Sequence, residues 1–359
     1  MSERRPDGYL TVKEAAERVG VSTQTLRRWD KQGKLSPSRH PINNYRVYSI
    51  SQIDQLVKSL EPDYGSLGLT ITEGTVKPRF ETSRGELYQG DASEIMKTFP
   101  ANSIDLVFAD PPYNIRKAQW DTFSSQKEYI DWSLAWITQA HRLLKDNGSL
   151  YVCGFSEILA DIKWAASHMF TGCKWLVWYY RNKANLSNDW GRSHESILHF
   201  RKSREFTFNI DEVRVPYNKH TLRYPQHPQA QSSQYGNGKS YVWSPNPKGA
   251  KPKDVFEIPT ISNNGWERYD HPTQKPVELL KKVILASSNP DDTVLDPFGG
   301  SGTTYAVSEA FGRDWVGIEL ETEYCELIEH RLKDTDHITR IAEREDDKDS
   351  RERREKLRG

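Results

Sequence analysis

Residues 293–319 read TVLDPFGGSGTTYAVSEAFGRDWVGIE, and this stretch decides the fold. An apolar strand runs into a glycine-rich turn, a helix is predicted from Thr303, and a second apolar strand ends near Glu319. Glycines at the carboxyl end of a strand let the backbone approach a ligand closely, and an acidic side chain ending the next strand can accept hydrogen bonds from ribose hydroxyls. The stretch therefore predicts a nucleoside site, although neither a G-x-G-x-x-G fingerprint nor a P-loop is present.

The same alternation of strand and helix extends outward through residues 81–332. Helices are predicted over Glu128 to Lys145, closed by an Asp-Asn-Gly turn, and over Glu157 to Phe170. Seven apolar strands are predicted: ELYQG (86–90), SIDLVFAD (103–110), SLYVCG (149–154), CKWLVWYY (173–180), ESILHF (195–200), TVLDPF (293–298) and WVGIEL (315–320). We expect an α/β fold with a doubly wound, mostly parallel seven-stranded sheet and helices on both faces.

The motif DPPY, Asp110 to Tyr113, follows directly after the strand SIDLVFA. Two successive prolines, Pro111 and Pro112, forbid a helix and remove two backbone donors, so that carbonyl oxygens point out of a stiff turn. Asp110 and the Pro111 carbonyl can accept both protons of an exocyclic amine, and Tyr113 can stack on the ring that carries it. The motif predicts a site for a planar, amine-bearing ring.

The motif HPTQKP, residues 271–276, stands immediately before a predicted helix. Thr273, Gln274 and Lys275 offer a hydroxyl, an amide and an ammonium near a helix N-terminus, which is a place for a carboxylate. Taken by itself, the motif is equally compatible with an ordinary loop.

The composition fits a folded protein of two or three domains. Of the 359 residues, 36% are hydrophobic and 11% aromatic. No apolar run approaches the ~18–20 residues of a membrane span, and no apolar stretch follows the N-terminal arginines as in a secretory signal. The three cysteines, Cys153, Cys173 and Cys325, lack the spacing of zinc ligands and are too few for a disulfide scaffold. We therefore expect a cytoplasmic protein with no metal site and no membrane contact.

Charge is unevenly spread in a chain whose net charge is zero. Residues 1–60 hold 11 Lys and Arg against 6 Asp and Glu, and residues 181–270 hold 14 against 9. Two basic segments on an acidic body indicate that these segments meet a polyanion. Chance clustering is the alternative that charge alone leaves open.

Residues 9–60 are predicted to form a small helical unit. Thr11 and Glu14 make a capping box before a helix over Val12 to Val19, and a second helix follows from Ser22, with the spacing of a helix-turn-helix. The sequence YLTVKEAAERVGVSTQTLRRWDKQGKL, followed by NNYRVYSISQID, resembles the MerR-like winged helix family. The resemblance implies a DNA-binding set of Thr23, Gln24, Thr25, Arg27 and Arg28 at the major groove and Arg46 at phosphate. A unit used only for packing or dimerisation is the alternative.

The chain from about residue 84 to residue 332 resembles the S-adenosylmethionine-dependent DNA amino-methyltransferases. More narrowly, it resembles their beta group, in which DPPY precedes the target-recognition region and the glycine-rich turn comes last. The blocks that carry the resemblance are GDASEIM (90–96), DLVFADPPYNIRKAQWDTF (105–123), SHESILHF (193–200), HPTQKPVELLKKVI (271–284) and VLDPFGGSGTT (294–304).

The resemblance assigns roles to residues of this chain. It implies that Asp110, Pro111, Pro112 and Tyr113 are catalytic. It implies that cofactor is bound by Asp91 and Ala92 at the adenine, Glu319 at the ribose, Thr273 and Lys275 near the carboxylate, and by Asp110, Asp296, Pro297, Phe298, Gly299, Gly300, Ser301, Gly302 and Thr303.

The domain organisation follows from these patterns. We predict a DNA-binding domain over 9–60, a Gly- and Pro-punctuated linker over 61–80, and a catalytic domain over 81–332 that contains a target-recognition insertion at 183–265. The residues from 333 to 359 form a charged tail, predicted to be a solvated helix or a disordered end.

The implied reaction is methylation of an exocyclic amine in double-stranded DNA after base flipping. Adenine N6 is preferred because Asp at position 110 is more usual for adenine in the resembled family, and cytosine N4 is the runner-up. Methylation at cytosine carbon 5 is rejected, since no cysteine follows a proline. Methylation of an RNA amine or a protein glutamine, and an inactive body serving as a DNA-binding regulator, remain as alternatives. A cognate restriction endonuclease and a homodimer are left open as partners.

Overall fold

The computed structural model describes residues 8–19, 23–31, 33, 35–40, 44–60, 76–114, 123–181, 188, 190–229 and 241–343, without the side chains of residues 17, 25, 57–60, 227–229 and 241. Most of the predicted linker, the side chain of Thr25 and part of the 183–265 insertion lie outside this description. No helix in the described ranges is long and apolar enough to cross a membrane.

The N-terminal unit has three helices and a three-stranded antiparallel sheet. Its elements are β1 (Tyr9–Thr11), α1 (Val12–Val19), α2 (Thr23–Lys31), β2 (Ser38–Arg39), β3 (Arg46–Ser49) and α3 (Ile50–Leu60). The predicted capping box is present, because Thr11 Oγ1 accepts from the Glu14 N–H at 3.3 Å and a Glu14 carboxylate oxygen accepts from the Thr11 N–H at 2.8 Å. Leu26 of α2, Tyr48 and Ile53 are fully buried between the elements, so this unit has a core of its own.

A nine-stranded sheet forms the centre of the larger part of the chain. Its strands and those of a small hairpin are β4 (Phe80–Glu81), β5 (Gly85–Gln89), β6 (Ile104–Ala109), β7 (Leu144–Gly154), β8 (Gly172–Tyr179), β9 (His194–Arg201), the hairpin strands β10 (His227–Gln229) and β11 (Tyr241–Trp243), β12 (Val255–Glu257), β13 (Thr293–Asp296) and β14 (Asp314–Glu319). The order across the sheet is β12-β8-β9-β7-β6-β13-β14-β5-β4. All seven predicted strands are present, and the prediction missed β4 and β12, which are edge strands of two and three residues.

The sheet is mixed but mostly parallel. The pairs β12–β8, β6–β7, β13–β6, β13–β14 and β14–β5 are parallel, whereas β9 runs antiparallel to both of its neighbours and β4 runs antiparallel to β5. The carboxyl ends of β6, β13 and β14 therefore meet at one edge, which is where ligands bind in open α/β sheets.

Helices cover both faces of the sheet, as the sequence predicts. One apolar cluster joins the sheet to α4 (Ala92–Lys97), α5 (Gln126–Leu143) and α6 (Ser156–Ala166). Beyond the short helix α7 (Lys219–Arg223), a second cluster joins the other face to α8 (Val277–Ser287), α9 (Thr303–Ala310), α10 (Thr322–Lys333) and α11 (Thr335–Glu343). The doubly wound fold is thus confirmed.

Two predicted helix ends are wrong. The helix predicted to Lys145 ends at Leu143, and β7 begins at once, so that Asp146-Asn147-Gly148 lies inside a strand. A Cβ atom on Gly148 would lie 2.9 Å from the Asp105 carbonyl oxygen, so this glycine permits a close approach of two strands and does not close a helix. The helix predicted to Phe170 ends at Ala166, where the chain turns towards β8.

The segment after residue 333 is packed where it is described. Ile341 of α11 is fully buried and His337 is 6% exposed, and α11 lies against α9. The sequence did not predict that this helix packs on the body. The segment is highly charged, and an apolar face of only about two turns gives little periodic signal.

Candidate active site

One cavity of about 470 Å³ lies at the carboxyl edge of the sheet, within the usual range of ~300–1,000 Å³ for ligand pockets. The DPPY turn after β6, the glycine-rich turn after β13 and the HPTQKP loop before α8 all line it. Of the predicted catalytic and cofactor residues, the lining includes Asp91, Ala92, Asp110, Pro111, Pro112, Tyr113, Thr273, Lys275, Asp296, Pro297, Phe298, Gly299, Gly300, Ser301, Thr303 and Glu319. Gly302 instead begins α9 with a φ of 70° and packs on Ile328.

The glycine-rich turn is fastened to the end of β14. The Gly300 N–H donates to Glu319 Oε2 at 2.7 Å, and the Glu321 N–H donates to Glu319 Oε1 at 2.9 Å. Burial raises the pKa of Glu319, while these two backbone donors act against that shift. A carboxylate has about four lone-pair positions, so Glu319 can still accept from ligand hydroxyls at the cavity wall.

Asp296 stabilises the turn from inside. Its Oδ1 accepts from the Phe298 N–H at 3.0 Å, and its Oδ2 accepts from the Thr304 hydroxyl at 2.5 Å. Burial raises the pKa of Asp296 to about 8, while the hydrogen bonds from Thr304 and Phe298 act against that shift. The side chain therefore shapes the turn, and the ring of Phe298 packs against Trp132 and Trp136 beneath the cavity.

Four polar side chains meet beside the DPPY turn. The Tyr113 hydroxyl lies 2.7 Å from Asp110 Oδ1 and 3.1 Å from Glu195 Oε2. The Lys275 ammonium lies 2.5 Å from Asp110 Oδ2 and 3.7 Å from Glu195 Oε2. Although burial would lower the pKa of Lys275, the two carboxylates raise it above its ordinary value, so this lysine stays charged.

The two prolines of the motif have different surroundings. The Tyr129 hydroxyl donates to the Pro112 carbonyl at 2.6 Å and fixes the turn to α5. No donor among the described residues reaches the Pro111 carbonyl, so it is the carbonyl of this turn that can accept from a ligand.

The remaining predicted cofactor residues lie at two further parts of the wall. Asp91 caps α4 by accepting from the Glu94 N–H at 3.0 Å. The N–H of Thr273 donates to His271 Nδ1 at 3.3 Å, and the ring of His271 packs against Gly300. Burial lowers the pKa of His271 to about 4, so that it is neutral at physiological pH.

Sequence analysis missed two buried residues near the site. The sequence placed Glu195 in the strand ESILHF and predicted no role for it in the site. In the structure the residue is 8% exposed and lines the cavity. An acidic residue at the start of an otherwise apolar strand was the available signal. Arg331 is fully buried under the glycine-rich turn and donates to the Ser301 carbonyl and Thr303 Oγ1, both at 2.9 Å.

The predicted DNA-binding residues fall into two groups. Gln24, Arg27 and Arg28 of α2 are exposed, and Thr23 is partly exposed. Arg46 of β3 forms an ion pair with Asp30 of α2 at 2.7 Å, so in this structure it joins the strand to the helix.

Comparisons with known proteins agree with this architecture. The family model described as DNA methylase matches residues 104–330, and the model of the MerR family of regulatory proteins matches residues 11–48. The DNA adenine methyltransferase YhdJ of Escherichia coli (strain K12) is 36% identical over 274 residues, which are 74% of this chain and 88% of YhdJ. The type II methyltransferase M.BamHI of Bacillus amyloliquefaciens is 34% identical over 266 residues, 73% of this chain and 60% of that protein.

Among solved structures, the PvuII DNA methyltransferase (cytosine-N4-specific) superposes with a TM-score of 0.55. It is 23% identical and covers 76% of this chain and 97% of its own, which supports the fold. The chain is a site-specific DNA methyltransferase of the N6/N4 DNA methylase family with an N-terminal MerR-like helix-turn-helix region.

Proposed function

We propose that this enzyme methylates the N6 amine of adenine in double-stranded DNA. The observation that carries the proposal is the juxtaposition of an acidic DPPY turn and a glycine-rich nucleoside turn on one cavity. The similarity to YhdJ, which is named as an adenine methyltransferase, favours adenine over cytosine.

The cofactor fits the cavity in size and in the chemistry of its wall. When bound, S-adenosylmethionine supplies an electrophilic methyl group on a sulfonium. We propose that Glu319 accepts from its ribose hydroxyls and that Asp91 and Ala92 hold its adenine. The glycine-rich turn, Asp296 to Thr303, would lie along the ribose and the methionine part, because its glycines leave room for close backbone approach.

The position of Lys275 changes the expected contact with the cofactor carboxylate. Its ammonium is already paired with Asp110 and Glu195, so we assign the carboxylate contact to Thr273 at the loop before α8. Lys275 then acts on the catalytic carboxylate.

The amine is activated by the oxygens of the DPPY turn. An exocyclic amine is a poor nucleophile because its lone pair is delocalised into the ring. Asp110 and the Pro111 carbonyl can each accept one of its protons, which favours a pyramidal nitrogen with a localised lone pair. These hydrogen bonds strengthen towards the transition state, so they accelerate the transfer and do not merely bind the base.

Tyr113 offers a stacking partner for a flipped base. Its ring is held edge-on against Phe155, with centroids 5.0 Å apart, and lies at the cavity wall. Extrusion of a base costs a few kcal/mol, and stacking on an aromatic ring is worth about 1–3 kcal/mol, so stacking offsets much of the cost.

The basic segments are proposed to contact DNA in two ways. Within the predicted insertion 183–265, β9 (His194–Arg201) and β12 (Val255–Glu257) are strands of the central sheet, so we propose that the residues between these two strands choose the target sequence beside the flipped base. The unit at 9–60, with exposed Arg27 and Arg28, would bind flanking DNA. We propose that the catalytic domain spans residues 81–332 and that a tail spans residues 333–359. The first part of this tail is α11, which packs on the catalytic domain as far as Glu343.

The proposed setting is the cytoplasm, where cellular DNA and the cofactor are both available. A restriction endonuclease of the same specificity and a second copy of the chain are the protein partners that we propose to test.

The test is product analysis with purified enzyme. Duplex DNA is incubated with S-adenosylmethionine carrying a labelled methyl group and digested to nucleosides. We expect label in N6-methyl-2′-deoxyadenosine only, and none with Asp110→Ala. Label in N4-methyl-2′-deoxycytidine would establish the runner-up, and label only in RNA or protein offered in parallel reactions would reject DNA as the substrate.

A further inference from the structure

The Tyr113 hydroxyl lies between two carboxylates. It is 2.7 Å from Asp110 Oδ1 and 3.1 Å from Glu195 Oε2. A phenol has one hydrogen and can donate it to one carboxylate at a time. The other contact then brings two oxygens together without a hydrogen between them. One additional proton would satisfy both contacts.

The charge of the cluster points the same way. Lys275 is the cation of the group, and the other titratable side chains that face Glu195 are Asp110, Tyr113, Cys153 and Tyr180. The exposed fractions of the side chains alone are 17% for Asp110, 11% for Glu195 and 8% for Lys275. With these three ionised, the cluster carries one negative charge in a poorly solvated place, which favours uptake of a proton.

We propose that Glu195 is a positioning residue that accepts, through Tyr113, the proton released by the methylated amine. The inference rests on the proposed function above. The distances support a relay from Asp110 Oδ1 to the Tyr113 oxygen and from Tyr113 to Glu195 Oε2.

The step balances without any further reactant. The lone pair of the exocyclic nitrogen forms the new nitrogen–carbon bond, while the carbon–sulfur bond breaks and its electron pair stays on sulfur. In the same step the nitrogen, which would otherwise carry one hydrogen too many, loses that hydrogen as a proton to Asp110. Asp110 passes a proton to the Tyr113 oxygen as the Tyr113 hydroxyl proton moves to Glu195.

Charge is also balanced across the step. Before transfer, a sulfonium with one positive charge faces a cluster with one negative charge. After transfer, the sulfur is neutral and the cluster, having gained a proton, is neutral as well. The sulfonium before transfer and the added proton after transfer therefore each balance the negative charge of the cluster, which would be costly if left unpaired in a buried site.

Single-turnover methyl transfer tests this relay. Glu195→Gln keeps the size of the side chain but cannot take up the proton, and Tyr113→Phe keeps the stacking ring but removes the hydroxyl. Each variant should transfer methyl about 100-fold more slowly or worse, with cofactor affinity unchanged. Because both residues act in one path, the double variant should be no slower than the slower single variant. Effects that multiply in the double variant, or a wild-type rate for Glu195→Gln, would overturn the proposal.

A solvent isotope effect separates the relay from a structural role. The wild-type rate should be lower in D₂O than in H₂O, and Glu195→Gln should abolish the difference. A slow variant that keeps the wild-type isotope effect would show that Glu195 only supports the shape of the site. Tyr151→Phe is the matched control, since its buried hydroxyl contacts Ser287 at 2.8 Å outside the cavity, and it should react as wild type. If the wild-type enzyme itself methylates no base amine, the proposed function fails and not the relay alone.

Discussion

The ammonium of Lys275 lies 2.5 Å from Oδ2 of Asp110, although 165 positions separate the two residues in the chain. The ion pair joins the loop before α8 to the turn after β6. It holds the carboxylate of Asp110 at the cavity in one orientation, in which its oxygens can accept from an amine.

Replacement of Asp110 tests the role of that carboxylate. Asp110→Ala should lower methyl transfer about 100-fold or more, because loss of one preorganised acceptor at a transition state typically costs this much. Cofactor affinity should largely persist, since the glycine-rich turn and Glu319 form a separate part of the wall. Turnover above about a tenth of wild type would contradict the assignment. Rates from initial velocities and cofactor affinity from calorimetry are the measurements.

Removal of Lys275 should change the pH dependence. The carboxylates of Asp110 and Glu195 raise the pKa of Lys275. The ion pair therefore stabilises the folded protein fully below the ordinary lysine pKa, and this stabilisation is lost only as pH rises through the higher pKa of Lys275 in the folded state. In Lys275→Met, two neighbouring carboxylates lack their cation and one holds a proton to higher pH. The acid limb of the rate profile should therefore move to higher pH.

A matched control for this variant is Lys145→Met. Lys145 lies 2.7 Å from the buried carboxylate of Asp105, away from the cavity. It should lower thermal stability and leave the pH profile unchanged. A profile that moves equally in both variants would mean that Lys275 has no specific effect on the site.

Much of this architecture could be predicted from the sequence because its signals are local. The strand ends, DPPY and the glycine-rich turn are contiguous in the chain, and parallel strands bring such ends to one edge. Glu195 could not be placed in the same way, because it reaches Tyr113 across 82 residues and lies within the range predicted as the target-recognition insertion. The Asp-Asn-Gly segment misled the prediction because its turn signal does not show that Gly148 faces a neighbouring strand.

The conformation of Gly300 gives a prediction about cofactor binding. Its φ is 51°, and a Cβ atom there would lie 3.1 Å from His271 Nε2 at the cavity wall. Gly300→Ala should cost about 1–3 kcal/mol of stability through backbone strain and should also weaken cofactor binding. Gly312→Ala is the control, because its φ is 68° but its nearest neighbour is Arg84 at 3.8 Å. Both variants should melt earlier, and calorimetry should find weaker cofactor binding only for Gly300→Ala.

The exposed arginines of α2 give a prediction about DNA affinity. The double variant Arg27→Ala, Arg28→Ala should raise the KM for DNA, and each lost phosphate contact should reduce the salt slope by about one. Arg18→Ala serves as the control, since Arg18 pairs with Asp54 on the same unit at 2.8 Å. The methylated motif should stay the same, as it should after deletion of residues 1–60. If the double variant binds DNA as tightly as the wild type at both of two salt concentrations, these arginines make no DNA contact. An altered motif would mean that the unit at 9–60 reads bases.

Sequencing with modification detection of DNA from cells that express the chain tests the central claim most directly, because it reports the modified base and its sequence context together. Cells with the wild-type enzyme should carry N6-methyladenine in one recurring motif, and cells with Asp110→Ala should carry none. N4-methylcytosine in the motif, or the same adenine methylation in both strains, would contradict the proposed adenine specificity or the role of Asp110.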